Sequence, residues 1–168
     1  MSRFQVAILA SQNRDWETVE TEWEKITAQY PNLFTSSNIG TFTNPGWWVA
    51  IDAAFKELDA LVAAVPGAVF NVAQIKEKFG GLRFYFDIHR EGVDADDDTD
   101  DGTLEVDGDI SELRRRCYEV VERAETAVWR ACEYCGEPGE RRTDLGWLKT
   151  LCDVHHQAAK AAQAAKGR

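Results

Sequence analysis

The sequence predicts an α+β fold in which N-terminal helices pack with a β-hairpin and a long helix leads to a small C-terminal module. Three observations predict it. Apolar residues recur at spacings of three and four through 16–30 and again through 47–65, the period of an amphipathic helix. Over 82–88 they switch to alternation, the period of a half-buried strand. Three of the four cysteines and two of the three histidines then fall within 132–156.

Taken in order, Phe4 to Leu9 is a short apolar run whose length fits either a strand or a helix turn. Trp16, Val19, Trp23, Ile26 and Tyr30 line one helix face, which Pro31 stops. Residues 32–43 read as loop. Asn44 followed by Pro45 predicts a capped helix start with proline in the first turn. The face that follows runs from Trp47 to Val65 and ends at Pro66-Gly67. Leu82, Phe84, Phe86 and Ile88 alternate with Arg83, Tyr85 and Asp87, and residues 69–77 form the partner strand. The two runs join through Lys78-Phe79-Gly80-Gly81, where two glycines mark a tight reversal that needs positive φ. Asp109 and Glu112 mark a further helix start, and Ile110, Leu113, Cys117, Val120, Val121, Ala124 and Val128 give that helix one apolar face. The Ala-rich tail after Cys152 is a strong helix former. Most of the six tryptophans and eight phenylalanines are expected in the core.

These elements divide the chain into four segments: 1–90 as a helical plus hairpin domain, 91–109 as an acidic loop, 110–130 as a connecting helix, and 131–168 as the cysteine-bearing module. The net charge of −10 is concentrated in the second, which holds ten acids and no base. The segment before it sums to −2 and the segments after it to +2, so the charge argues for a solvated, disordered loop rather than an acidic protein surface. Asp96, Asp98 and Asp100 share the spacing of a calcium loop. The glycine that loop needs comes one residue late, at Gly102, and its twelfth position is Asp107 rather than glutamate. No apolar run approaches the roughly 20 residues of a membrane span, and the start of the chain lacks the length and flanks of a signal peptide. The expectation is a cytoplasmic protein, where clustered thiols suggest metal before disulfide.

Cys132-x2-Cys135 is followed after sixteen residues by Cys152-x2-His155. Two close pairs of soft and borderline donors are what tetrahedral zinc takes. Gly136 lets the first pair turn back as a knuckle, and the second pair lies at the start of the Ala-rich helix. The expected module is a treble-clef or zinc-ribbon-like finger holding structural Zn2+ on Cys132, Cys135, Cys152 and His155. His156 is an alternative to His155, since both share a helix face with Cys152. Cys117 reads as a core residue rather than a ligand.

Four protein ligands close the zinc shell, whereas catalytic zinc keeps a position open. The deaminase pattern of H-x-E with a later P-C-x-x-C is absent. An HNH nuclease would need a further Asn or His, and no asparagine follows Asn71 and no histidine follows His156. No phosphate loop or nucleophile triad is visible. The chain is therefore expected to have no catalytic residues. On the hairpin, Gln74, Lys76, Lys78, Arg83 and Tyr85 are candidates for one polar outer face, a contact surface for an anionic partner. The acidic loop leaves from this hairpin and is a candidate to mask that face.

The strings QIKEKFGGLRFY (74–85), CEYCGEPG (132–139) and GWLKTLCDVH (146–155), with the Trp47-Trp48 pair, carry a resemblance. Over 46–156, without the acidic loop, the chain resembles a family of small uncharacterised bacteriophage and bacterial proteins. The resemblance implies a phage or prophage origin and carries no activity with it. The expected function is a non-enzymatic zinc-binding protein-interaction module, an accessory factor acting on a host or defence protein. The alternative is a nucleic-acid-binding regulator using the finger or the basic hairpin face.

Overall fold

The computed structural model describes residues 1–34, 40–92 and 108–166. The acidic segment beyond Gly92, with its calcium-like spacing and its proposed masking role, lies outside the described residues. The fold is mixed α and β, as expected. Its elements are α1 (Arg3–Gln12), α2 (Trp16–Thr27), β1 (Thr41–Phe42), α3 (Trp48–Ala63), β2 (Ala68–Lys78), β3 (Gly81–Arg90), α4 (Gly108–Ala127), β4 (Glu140–Arg142), β5 (Lys149–Leu151) and α5 (Asp153–Lys166).

The ambiguous run at the N-terminus is helical. Ser2 Oγ accepts the Gln5 amide at 3.3 Å and caps α1, whose Ala7 and Ala10 are buried. Asp15 caps α2 in the same way through Thr18. Its face buries Trp23 and Ile26, with the Trp23 and Trp48 rings 5.2 Å apart. Phe55 of α3 sits at the centre of this packing and meets Trp23, Tyr30, Phe34 and Phe84 at 5.1–5.8 Å. The Tyr30 hydroxyl, just past the end of α2, donates to Asp52 Oδ1 at 2.8 Å.

Three sequence expectations need correction. Asn44 makes no side-chain cap; Pro45–Trp47 is a 3-10 turn, and α3 begins only at Trp48. Asp109 lies inside the first turn of α4 rather than at its cap. The 32–43 stretch contains a short strand, since Thr41 and Phe42 pair in parallel with Ile75 and Lys76. The hairpin reverses at Phe79-Gly80, both at positive φ (56° and 75°), inside the expected Lys78–Gly81 connection. Two consecutive left-handed residues match the right-handed twist of the flanking strands.

The resulting sheet has the order β1-β2-β3. Its inner face carries Phe70, Val72, Ile75, Leu82, Phe84 and Ile88, all buried. The β2–β3 register shifts between Val72 and Gln74. This one-residue bulge at Ala73 moves the inward positions of β2 from even to odd numbers. It is why Gln74 and Lys76 share the outer face with Tyr85 and Arg83, their register partners. The free edge of β3 is closed by α4: the Phe84 amide donates to Glu125 Oε1 (3.1 Å), and Arg114 donates to the Ile88 carbonyl (2.6 Å).

Not all the aromatics are buried. Trp23, Trp47, Trp48, Phe55, Phe70 and Phe84 are buried and Phe4, Phe34 and Phe86 pack against the core, so most of these rings are core as expected, but Trp16, Trp129, Trp147, Phe42 and Phe79 are exposed.

Candidate metal centre

Beyond α4 a short 3-10 turn (Val128–Arg130) leads into the knuckle. The Gly136 amide returns to the Cys132 carbonyl (2.8 Å), and Cys132 N–H donates to the Glu137 carbonyl (2.8 Å). Gly136 has φ +77°, and a Cβ there would lie 2.9 Å from the Gly46 carbonyl. The position needs glycine for its conformation and for its neighbour. The β4–β5 hairpin follows, and Cys152 directly precedes α5. The order is therefore knuckle, short hairpin and helix, as expected of a finger.

The donor atoms of Cys132, Cys135, Cys152 and His155 all lie within 4.8 Å of one another. Cys135 Sγ is 3.8 Å from Cys152 Sγ. His155 Nδ1 is 3.5 Å from Cys132 Sγ and 3.2 Å from Cys152 Sγ. A tetrahedral ion with metal–sulfur bonds of about 2.3 Å sets sulfurs about 3.8 Å apart, and slightly less for sulfur to nitrogen. The four residues can hold a metal ion. His156 does not join them: its Nε2 bonds Asp144 Oδ1 at 2.8 Å. Cys117 is fully buried on α4, where burial pushes its thiol up to about 12.

The thiols differ in their surroundings. Burial pushes Cys135 up to about 12, partly offset by the Glu137 amide. Burial also opposes ionisation of Cys152, but the backbone amides of His155 and Val154 and the neighbouring thiols outweigh it and hold this thiol below its ordinary value. Helix N-terminal amides favour a thiolate in this way. Binding a metal deprotonates all three.

Several residues to which the sequence assigned no such role join this finger to the rest of the chain. Gly46 N–H donates to the Glu133 carbonyl at 3.0 Å. A Cβ on Gly46 would stand 2.3 Å from the Cys132 carbonyl and 2.7 Å from the Cys135 nitrogen. Trp47 Nε1 donates to the Ala131 carbonyl (2.8 Å), and Thr150 Oγ1 to the Gly80 carbonyl (2.6 Å). Asn44 Nδ2 donates to Glu133 Oε1 (3.1 Å), which also pairs with Lys149 Nζ. Glu133 is fully buried, and burial pushes its carboxyl up against the opposing pull of Lys149. The sequence signal for this seam was the Asn-Pro-Gly-Trp-Trp string, whose residue types serve a helix start equally well.

The hairpin candidates fall outside the metal cluster. Gln74, Lys76, Arg83 and Tyr85 share the outer sheet face, with Lys76 Nζ 2.5 Å from Gln74 Oε1 and 5.2 Å from the Tyr85 ring centroid. Lys78 stands beside the turn with its Nζ 5.3 Å from the Phe79 ring. Arg83 also faces Glu125 at 3.8 Å. Among the described residues no helix is long and apolar enough to cross a membrane. No protein-family model, curated protein or solved structure matches the chain.

Proposed function

We propose that the chain is a non-catalytic binding module whose C-terminal finger is held by one structural zinc ion. The observation that carries this reading is the donor set: three thiols and one imidazole, all from the protein, with their donor atoms within 4.8 Å of one another. Such a set suits zinc, and it leaves no coordination position for water or substrate. The packing of Gly46 on the knuckle backbone supports a structural role, because the metal loops then form part of the seam between finger and hairpin body. An accessory role on a host or defence component is the setting that the resemblance to phage and bacterial proteins suggests.

Metal analysis of the purified chain tests this reading. One zinc per chain is expected, and Cys135→Ser should release it and loosen the C-terminal third. Stoichiometric zinc retained by that variant would overturn the ligand assignment. A hydrolytic activity abolished by chelation and restored by zinc would overturn the non-catalytic reading.

A further inference from the structure

We infer that the outer face of the three-stranded sheet, continued across Trp129, binds single-stranded nucleic acid. The inference rests on the reading of the chain as a non-catalytic binding module and supplies the class of its partner.

The surface alternates cations with exposed rings. Phe42, Lys76 and Arg83 lie side by side across the three strands in register. Tyr85 occupies the next outward position on β3, with Lys76 over its ring. In the other direction Gly81 has the same outward orientation as Arg83. A Cβ there would meet Trp129 Cζ2 at 3.3 Å, so the indole lies over the sheet where glycine leaves room. Arg141 then stacks on Trp129, 5.2 Å from its ring. From Gly81 to Tyr85 the strand covers about 13 Å, so the belt is long enough for several nucleotides. Phe42 is 69% exposed and Tyr85, beside Lys76, 45%, so both side chains present ring surface to solvent. Lys78 and Phe79 flank the belt at the turn.

Charge complementarity selects an anionic occupant, and the rings select among anions. An acidic peptide needs only the cations. A single strand offers phosphates to the cations and base faces to the rings, and each stacked base contributes measurably to affinity. Among the described residues Glu125 stands beside Arg83 at 3.8 Å, and Asp87, two residues beyond Tyr85, is engaged by His89 at 3.1 Å. In the sequence the strongly acidic stretch 91–109 follows the end of β3 at Arg90.

The test uses the zinc-loaded full chain and fluorescein-labelled fifteen-residue oligo-dT and oligo-rU, followed by anisotropy at several salt concentrations. Binding is expected, weakening with salt at a log–log slope of about −2 to −3, as for three or four neutralised phosphates on a single strand. Tyr85→Ala should weaken it about tenfold with zinc content and melting temperature unchanged. Phe42→Ala provides the same reading from a second strand, and Lys76→Ala should lower the slope by about 0.7. Absence of binding at low salt would overturn the inference. So would affinity unchanged in both ring variants, equal affinity for a duplex that hides its base faces, or equal competition by polyglutamate. Each of these outcomes leaves the zinc assignment untouched, because that is read separately by metal analysis.

Discussion

Gly46 carries a structural burden that its lack of a side chain makes possible. Its amide bonds the knuckle, and any Cβ would press into the Cys132 and Glu133 carbonyls at 2.3 and 2.6 Å. These are backbone atoms of a tight loop and cannot rotate away. Gly46→Ala should therefore destabilise the zinc-loaded protein by about 1–3 kcal/mol, the usual cost of overpacking, or more. Gly40→Ala is the control, since nothing lies within 4 Å of its would-be Cβ, and urea denaturation of the two variants checks the difference. The sequence could not separate these roles, because a glycine required by a neighbour looks the same as one required by a turn. The two histidines pose a similar problem: spacing alone allows either to complete the donor set. What decides it is a partner distant in the chain, Asp144, which takes His156 and also bonds Lys160 at 3.0 Å. Together they hold the Asp144 carboxyl near 2, well below its ordinary range. Accordingly His155→Ala should lose zinc, and His156→Ala should keep one equivalent, as read by metal analysis after gel filtration.

At the scale of elements, the hairpin was the most legible part of the chain, because alternation over 82–88 has no helical reading. Its details were less so. The bulge at Ala73 shows only as a change of parity among Phe70, Val72 and Ile75. The closure of the β3 edge was not legible at all. Nothing local marks Glu125 as the acceptor for an amide 41 residues away. The edge is where an exposed strand would recruit another strand. Glu125→Ala should remove the acceptor from a part-buried amide and cost on the order of 1 kcal/mol. Hydrogen exchange of Phe84 should rise in that variant while the buried amides of β2 stay protected. Unchanged exchange at Phe84 would show that the amide is held by something other than Glu125. The N-terminal run stayed ambiguous for a different reason: it is too short to establish a period, and the cap at Ser2 with burial of Ala7 settles it.

Across the whole molecule, two groups buried far from the metal centre set an alkaline limit. Burial pushes the Cys117 thiol from 9.0 up to about 12. Burial, helped by Asp52, pushes the Tyr30 phenol from 10.0 to about 12. Both are neutral when protonated, so between the unfolded and folded values the native state holds protons that the unfolded chain has lost. Stability must then fall as pH rises through that window. Lys149, raised by Glu133 against the effect of its own burial, adds a contribution of the same sign above its unfolded value of 10.5. The metal acts in the opposite sense. Its thiolates are deprotonated in the loaded native state, so acid releases the ion and stability drops as pH falls. Because the seam at Gly46, Trp47 and Thr150 ties the knuckle to α3 and the hairpin, loss of metal should be felt beyond the finger. Chelation at neutral pH should lower the melting temperature of the main transition followed by far-ultraviolet circular dichroism, not merely remove a small early one. With zinc bound, the melting temperature should decline from about pH 9 upward, and in Cys117→Ala the decline should begin about one unit higher, where Tyr30 takes over. A Cys117→Ala profile that kept the onset near pH 9 would assign the alkaline limit to other groups.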